Sequence, residues 1–193
     1  MIIIYCYNFN AILVRPLRSR KVSELAETMQ ETHECLAERG CKPNRQTLDN
    51  ETSLALKECL KSVKVTFQLV PQHAHRRNEA KRAMRAFKNN FIAILCRLCP
   101  YFPLNLWYKL LHRSEINLNT IRSCKPNPKI LVYQSLEGQF ACNHTPLATL
   151  ESRIIAHDHP TNRQPWAPHG NFGWLIGPAI DHYRCFIVFN LKK

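Results

Sequence analysis

The sequence predicts an α/β fold, and two observations lead to that prediction. Short β-rich runs alternate in the first part of the chain with longer segments whose apolar residues recur at helical spacing. The 193 residues are 45% hydrophobic and include only 5 glycines, a composition that can bury a core and differs from that of a disordered chain. We therefore expect one domain, with helices flanking a sheet, followed by an extension.

The first predicted elements are strands. Residues 2–7 (IIIYCY) and 11–17 are β-rich, and Asn8 and Asn10 between them favour a hairpin turn. Only Met1 precedes the first run, so we expect that strand to form an uncovered sheet edge, or the sequence to continue upstream. No basic segment or small-residue cleavage site accompanies the run, so we expect a strand and not a signal peptide.

A helix, two strands and a second helix are predicted next. Ser23 is suited to an N-cap and Gly40 to the position after a helix C-terminus, which predicts a helix between them. The sequence then predicts a short strand at residues 43–48 and a helix at residues 53–62. It predicts a second strand, with alternating apolar residues, at residues 64–70. Asp49 directly follows the first of these strands.

The longest predicted helix covers residues 78–99. Its apolar stripe consists of Met84, Phe87, Phe91, Ile94, Leu95 and Leu98. Pro100 and Pro103 end this helix because proline lacks the N–H that helix interiors require. Residues 104–119 predict a further helix with leucines at regular spacing, namely Leu106, Leu110, Leu111 and Leu118.

The chain changes character after Ser123. Prolines punctuate short apolar pieces, so residues 124–168 predict an extended segment lying over the core. The terminal stretch GWLIGPAIDHYRCFIVFNL alternates like two short strands around Gly177 and Pro178. We expect the aromatic residues of this region to pack onto the core, namely Trp166, Trp174 and Tyr183.

Charge and cysteine content indicate the class of partner and the compartment. The 27 Lys and Arg residues exceed the 14 Asp and Glu residues and give a formal net charge of +13, which favours nucleic acid as the partner. We expect no membrane partner, because polar Asn8 and Asn10 end the apolar N-terminal run before it could span a membrane. Nine cysteines are odd in number and lie within predicted elements, which favours reduced thiols in an intracellular protein, with the nucleus open. Cys96 and Cys99 have zinc spacing near His73 and His75, but no second pair closes a site, so we expect buried helix cysteines.

Five segments in a fixed order carry a family resemblance. They are LDNETSLALKECL, FQLVPQHAHRRNEAKRAMRAFKNNFIA, PLNLWYKLL, NLNTIRS and WAPHGNFGWLIGPAIDHYRC. Over most of its length the chain resembles the integrase core, and the segment after it, of copia-like retrotransposons. The resemblance implies a truncated, degenerate copy with a ribonuclease-H-like mixed sheet, flanking helices and the first strand missing. Residues 1–122 would then be the core and residues 123–193 a Pro-rich extension with short strands.

The resemblance also implies a catalytic set of Asp, Asp and Glu that binds Mg²⁺ or Mn²⁺ for strand transfer into DNA. The second Asp falls on Asp49, the surviving catalytic residue and metal ligand. The Glu belongs to a motif H-R-R-N-x-x-E-R, which places it where this chain has Lys81. Glu79 is a poor substitute, because two helical residues rotate a side chain by about 200°. With the first Asp upstream of the matched strands, one carboxylate of three cannot hold two ions, and we expect an inactive polynucleotidyl transferase.

A basic set survives beside the lost carboxylate and predicts contact with nucleic acid: His75, Arg76, Arg77, Lys81, Arg82, Arg85 and Lys88. DNA is the expected partner, with RNA and self-association as open alternatives. A solvated helix face is the alternative interpretation of the charges. Three hypotheses for function stay open: a strand-transfer enzyme, a basic DNA-binding remnant without catalysis, and an unexpressed relic of a transposable element.

Overall fold

The computed structural model describes residues 1–19, 21–48, 57, 60–61, 65–71, 79–149, 152–163 and 165–191. The fold is mixed α/β, with small sheets and helices. Two compact units divide the chain: Met1–Lys88 with Glu115–Gln139 form one, and Asn89–Ser114 with Phe140–Lys193 form the other. The predicted division after residue 122 stays a prediction. Among the described residues, no helix has the length and apolar content that crossing a membrane requires.

The first unit begins with an antiparallel hairpin of strands β1 (Ile2–Cys6) and β2 (Ala11–Arg15), which confirms the predicted strands and turn. Asn10 closes the turn with φ 65°, a left-handed conformation that Asn tolerates better than most residues. Helix α1 (Val22–Glu38) follows and packs Leu36 against Leu13 of the hairpin. The hairpin and α1 therefore share one apolar cluster.

The N-terminus of α1 differs from the prediction. Lys21 occupies the N-cap position and Ser23 lies inside the first turn, so Ser23 is not the cap. Glu24 instead reaches back and accepts hydrogen bonds from the backbone N–H (2.8 Å) and hydroxyl (2.6 Å) of Ser19. These hydrogen bonds lower the pKa of Glu24, and the bond from the Ser19 hydroxyl has the largest effect.

A parallel pair of strands, β3 (Arg45–Leu48) and β4 (Thr66–Leu69), also belongs to this unit. Leu48 packs with Met29 of α1 in a second apolar cluster, to which Ile2 and Phe67 also contribute. The two short strands were predicted. The helix predicted at residues 53–62 lies largely outside the described residues.

The outer edge of β2 is covered by side chains. The carboxamide of Asn119 accepts a hydrogen bond from the Ile12 N–H (3.1 Å) and donates one to the Ile12 carbonyl (2.9 Å). Glu115 accepts from the Val14 N–H at 2.8 Å and pairs with Arg15 at 2.9 Å. These side chains satisfy backbone groups that a neighbouring strand would otherwise bind.

Helix α2 (Glu79–Cys96) confirms the longest predicted helix, although it ends three residues earlier than predicted. Phe87, Phe91 and Ile94 are buried as expected, whereas Met84 is 39% exposed and was wrongly placed on the buried stripe. Ala83, with 3% exposure, takes the buried position beside Phe87. The cysteine prediction was also wrong, because Cys96 is exposed.

The predicted helix over residues 104–119 consists of two helical types. A 3₁₀ helix covers Leu104–Leu110, and helix α3 (Leu111–Asn119) follows it. The leucines that predicted one continuous helix are buried in both parts: Leu106, Leu110, Leu111 and Leu118. Apolar spacing therefore identified the buried side correctly but not the change of helical type.

The segment predicted as extended contains regular elements, so that prediction was wrong for residues 124–168. Helix α4 (Val132–Glu137) packs its Val132 and Leu136 into the cluster of Leu36. Strand β5 (Arg153–His157) pairs with strand β6 (Gly170–Pro178).

The end of the chain forms a three-stranded antiparallel sheet in the order β5-β6-β7, where β7 is Phe186–Asn190. Two terminal strands were predicted, but the predicted break between them was wrong. Gly177 and Pro178 lie inside β6 and pair with Ile187 and Phe186 of β7. Trp174 is buried and its ring meets that of Phe102 edge to face at 5.5 Å. Trp166 is fully exposed and Tyr183 is 62% exposed, so neither packs onto the core as expected.

The described strands form three separate sheets of two, two and three strands. The prediction of one ribonuclease-H-like mixed sheet is therefore supported only at the coarser level of a mixed α/β fold.

Candidate nucleic-acid interface

The predicted site residues fall into two groups. Asp49, His75, Arg76 and Arg77 lie outside the described residues, so their predicted roles stay predictions. The remaining predicted residues all lie on the first part of α2. They are Glu79, Lys81, Arg82, Arg85 and Lys88.

Helix geometry separates the basic residues of α2 into two directions. Lys81, Arg85 and Lys88 are spaced by four and then three residues, which places them within about 60° of one another around the helix. Arg82 lies about 100° from Lys81 and about 120° from Lys88, but only about 60° from Arg85. Its rotation together with its pairing to Glu79 sets Arg82 apart from the other three. We call Lys81, Arg85 and Lys88 the basic stripe.

Two of the three residues of the basic stripe expose their side chains to solvent. Arg85 and Lys88 are exposed, and Lys81 is half-buried. Neither Arg85 nor Lys88 forms an ion pair within the part of the chain that the structure describes. Two exposed cations on one helix face are therefore available to an external anion.

Glu79 opens α2 and is held by two cations. Its carboxylate lies 2.9 Å from the Arg82 guanidinium and 3.4 Å from the Lys125 ammonium. A carboxylate that neutralises two bases must break those pairs before it can bind a divalent ion. The expectation that Glu79 is a poor replacement for the glutamate implied by the resemblance stays a prediction.

Glu79 and Arg82 line a pocket of about 370 Å³ within the first unit. The lining residues are Tyr5, Asn10, Glu79, Arg82, Ala83, Arg122 and Lys125. We call it the Tyr5 pocket. Tyr5 and Asn10 come from the hairpin, Arg122 and Lys125 follow α3, and the others begin α2.

Asn10 organises one wall of the Tyr5 pocket. Its side-chain oxygen accepts hydrogen bonds from the Tyr5 hydroxyl (3.0 Å) and from Arg122, and its amide nitrogen donates to the Ser123 carbonyl (3.0 Å). Arg122 Nε also donates to the Asn10 carbonyl at 2.9 Å. The Arg122 guanidinium is therefore fixed by the turn residue of the hairpin.

Lys125 lies among aromatic rings at the pocket. Its ammonium is 3.1 Å from the centroid of the Tyr7 ring and 5.6 Å from that of Tyr5, both within cation–π range. Burial lowers the pKa of Lys125, but its interactions with Tyr5 and Glu79 outweigh burial, and the net pKa is raised. Lys125 therefore carries its charge throughout the neutral range.

Sequence reasoning missed Tyr5, Asn10, Arg122 and Lys125 as site residues. Asn10 was identified as a turn residue, and Arg122 lies in a segment that carried the family resemblance. Their convergence depends on contacts between residues more than 100 positions apart, such as Asn10 with Arg122. No local pattern in one sequence encodes such a contact.

The described residues do not fit the pair of divalent ions that the resemblance implies. Lys81 stands at the position of the expected glutamate, and both cations that contact Glu79 would repel a metal. Within the described ranges, no group of three or more His, Cys, Asp or Glu side chains is arranged to hold a metal ion. The side chains of α2 therefore supply no basis for a reaction step through a metal.

Comparison with solved structures gives a distant likeness. No protein-family model matches the sequence, and no curated protein matches it. The solved structure of the simian T-cell lymphotropic virus intasome in complex with PP2A regulatory subunit B56 gamma contains a chain 12% identical to this one. The match covers 94% of this chain and 68% of that chain, with a TM-score of 0.41. A likeness at this level carries no argument about function.

Proposed function

We propose that this chain is an integrase-like nucleic-acid-binding protein of retrotransposon origin that holds DNA without catalysing strand transfer. The basic stripe on α2 contacts the phosphate backbone. Binding of this kind depends on clustered positive charge and does not require the exact placement of reacting groups. RNA is the alternative polyanion, since backbone contacts alone do not distinguish the two.

The observation that carries this proposal is the exposure of Arg85 and Lys88 on the same helix face. A formal net charge of +13 adds long-range attraction for a polyanion. A solvated helix face of an ordinary protein would more often alternate positive and negative charges. The nearest acidic residue on α2, Glu79, is directed away from the basic stripe and pairs with Arg82.

The state of Glu79 and the identity of residue 81 argue against the rival enzyme hypothesis. In-line phosphoryl transfer with two metal ions needs several carboxylates that converge on the ions. On α2 the only carboxylate is Glu79, which is occupied by Arg82 and Lys125. We therefore propose that Mg²⁺ and Mn²⁺ are not needed for the present function.

The test combines a binding assay with a strand-transfer assay on the same preparation. We expect the purified chain to bind a labelled DNA duplex with equal affinity in Mg²⁺ and in EDTA, and to join no donor strand to a target plasmid. Strand transfer that depends on Mg²⁺ or Mn²⁺ would contradict the proposal. The absence of duplex binding at low salt would contradict it as well.

A matched pair of double variants locates the contact. Arg85→Gln with Lys88→Gln removes two charges from the basic stripe, whereas Lys109→Gln with Lys129→Gln removes two exposed charges elsewhere. We expect the stripe variant to weaken duplex binding about tenfold in 0.2 M salt and the control variant to have a much smaller effect. Equal losses in both variants would show that net charge alone, without the stripe, explains binding.

A further inference from the structure

The Tyr5 pocket lies on a different side of α2 from the basic stripe. Its lining residues Glu79 and Ala83 are each rotated by about 160° from Lys81 around the helix axis, and Arg82, about 60° from Arg85, stands at the border. The volume of about 370 Å³ is at the lower end of the range of roughly 300–1,000 Å³ typical of small-molecule sites. The pocket is thus a separate concavity, and the proposed DNA contact does not use it.

Charge in the Tyr5 pocket is unbalanced. Arg82, Arg122 and Lys125 carry positive charges and Glu79 carries the single negative charge among the lining residues, a surplus of two positive charges. The Glu79 carboxylate bridges Arg82 and Lys125, so it already occupies a place suited to an anion between two bases. An anion with two charges would neutralise the surplus.

The cations are held in place before any ligand arrives. Asn10 fixes the Arg122 guanidinium through its carbonyl and its side-chain oxygen. The Tyr7 ring supports the Lys125 ammonium at 3.1 Å. Prior positioning of this kind lowers the entropy that binding would otherwise cost.

We infer that the Tyr5 pocket binds a phosphomonoester group, carried either by a free nucleotide or by the 5′ end of a nucleic-acid strand. A phosphomonoester carries close to two negative charges at neutral pH and offers three terminal oxygens, whereas a backbone diester carries one charge. Guanidinium groups bind such oxygens in pairs, and the ammonium binds as a point charge. The volume exceeds that of a bare phosphate and leaves space for the attached sugar.

Glu79 competes with the phosphate in this arrangement. An incoming phosphomonoester must displace the carboxylate from Arg82 and Lys125. Glu79→Gln keeps the size of the side chain but removes its charge. We therefore expect this variant to bind the phosphomonoester more tightly, a result that damage to the fold could not produce.

Calorimetric titration with adenosine 5′-monophosphate, and with adenosine as the unphosphorylated control, tests the inference on the full chain. We expect the monophosphate to bind and adenosine to give no heat. Lys125→Met should weaken binding about five- to tenfold, since it removes a partly exposed charge-assisted contact. Glu79→Gln should strengthen binding several-fold. Lys129→Met, an exposed neighbour outside the pocket lining, should match the unmodified chain.

Two oligonucleotides of identical sequence then separate the two sources of the ligand. Preference for a single strand with a 5′-phosphate over the same strand with a 5′-hydroxyl would assign a strand end, and equal binding of the two strands would assign a free nucleotide. The inference is overturned if the monophosphate and adenosine behave alike, or if Lys125→Met and Lys129→Met bind equally. Because adenosine monophosphate has no phosphodiester backbone, the outcome of its titration is independent of whether the basic stripe binds DNA.

Discussion

Asn119 and Glu115 act on β2 in the way that a neighbouring strand would act. Both belong to α3, four residues apart, so both lie on the same side of that helix. Their side chains reach Ile12 and Val14, whose backbone groups alternate along the strand edge. Side-chain amides and carboxylates can therefore close a buried sheet edge where backbone pairing is missing.

The Asn119 carboxamide is a large contributor to the stability of the first unit. In Asn119→Ala, the buried N–H and carbonyl of Ile12 lose their partners. We expect the free energy of unfolding to fall by about 1–3 kcal/mol. Urea denaturation measures the change, with Asn117→Ala, two residues away on the same helix, as the matched control. A loss no larger than that of the control would contradict this role.

The buried carboxyl group of Glu115 should make the free energy of unfolding depend on pH, and the direction of that dependence can be measured. Burial raises the pKa of Glu115 above the usual 4.5, and the attraction of Arg15 opposes this only in part. Between 4.5 and the raised pKa, the folded state holds more protons at Glu115 than the unfolded state. The contribution of Glu115 to the free energy of unfolding therefore falls as pH rises through this window and is constant above it.

The comparison with Glu115→Gln isolates that contribution. Glutamine keeps an oxygen that accepts from the Val14 N–H, but it does not titrate. We expect the stability of the unmodified chain, minus that of the variant, to decrease as pH is raised from 4.5 towards neutrality. Chemical denaturation at several pH values gives this difference, and a rise with pH would show that Arg15 outweighs burial.

Gly40 ends α1 with a complete Schellman motif. The Cys41 N–H donates to the Leu36 carbonyl at 2.8 Å and the Gly40 N–H donates to the Ala37 carbonyl at 3.1 Å. Gly40 adopts φ +78°, which side chains with a Cβ resist. Leu36 and Cys41 also meet in one apolar cluster, so the motif links the helix end to the core.

Substitution at Gly40 tests the requirement for that backbone conformation. A Cβ added to Gly40 would meet no atom within 4 Å, so a clash with neighbours does not enter. Gly40→Ala should lower the free energy of unfolding by about 1–2 kcal/mol from the left-handed conformation alone. Gly40→Asn should lower it less, because Asn tolerates this conformation. Equal losses in both variants, measured by thermal denaturation, would point to a cause other than φ.

Local patterns in the sequence predicted the elements whose evidence lies within a few residues. The hairpin was evident from two β-rich runs around Asn8 and Asn10, and the end of α1 from Gly40. The 3₁₀ geometry of Leu104–Leu110 was not evident, since Leu106 and Leu110 are four residues apart, a spacing that predicts an α-helix. Helix α4 was missed because its six residues are too few for a helical period to stand out.

For the molecule as a whole, the sequence predicted the charge of α2 better than it predicted which distant residues and strands come together. The predicted basic character of α2 is present, but its separation into the basic stripe and the Arg82 side follows only from helix rotation and from the partners of Glu79. The Tyr5 pocket joins residues from three distant segments and was not predicted. The grouping of strands into three sheets likewise depends on distant contacts.

The dependence of duplex affinity on salt tests the proposed function most directly. A phosphate contact made by one Lys or Arg contributes about 0.9 to the slope of log K against log salt concentration for duplex DNA. We expect the unmodified chain to show a steep negative slope and the Arg85→Gln, Lys88→Gln variant to show a slope shallower by about 1.8. A variant slope equal to that of the unmodified chain would mean that these residues do not contact phosphates, and would contradict the account of the basic stripe.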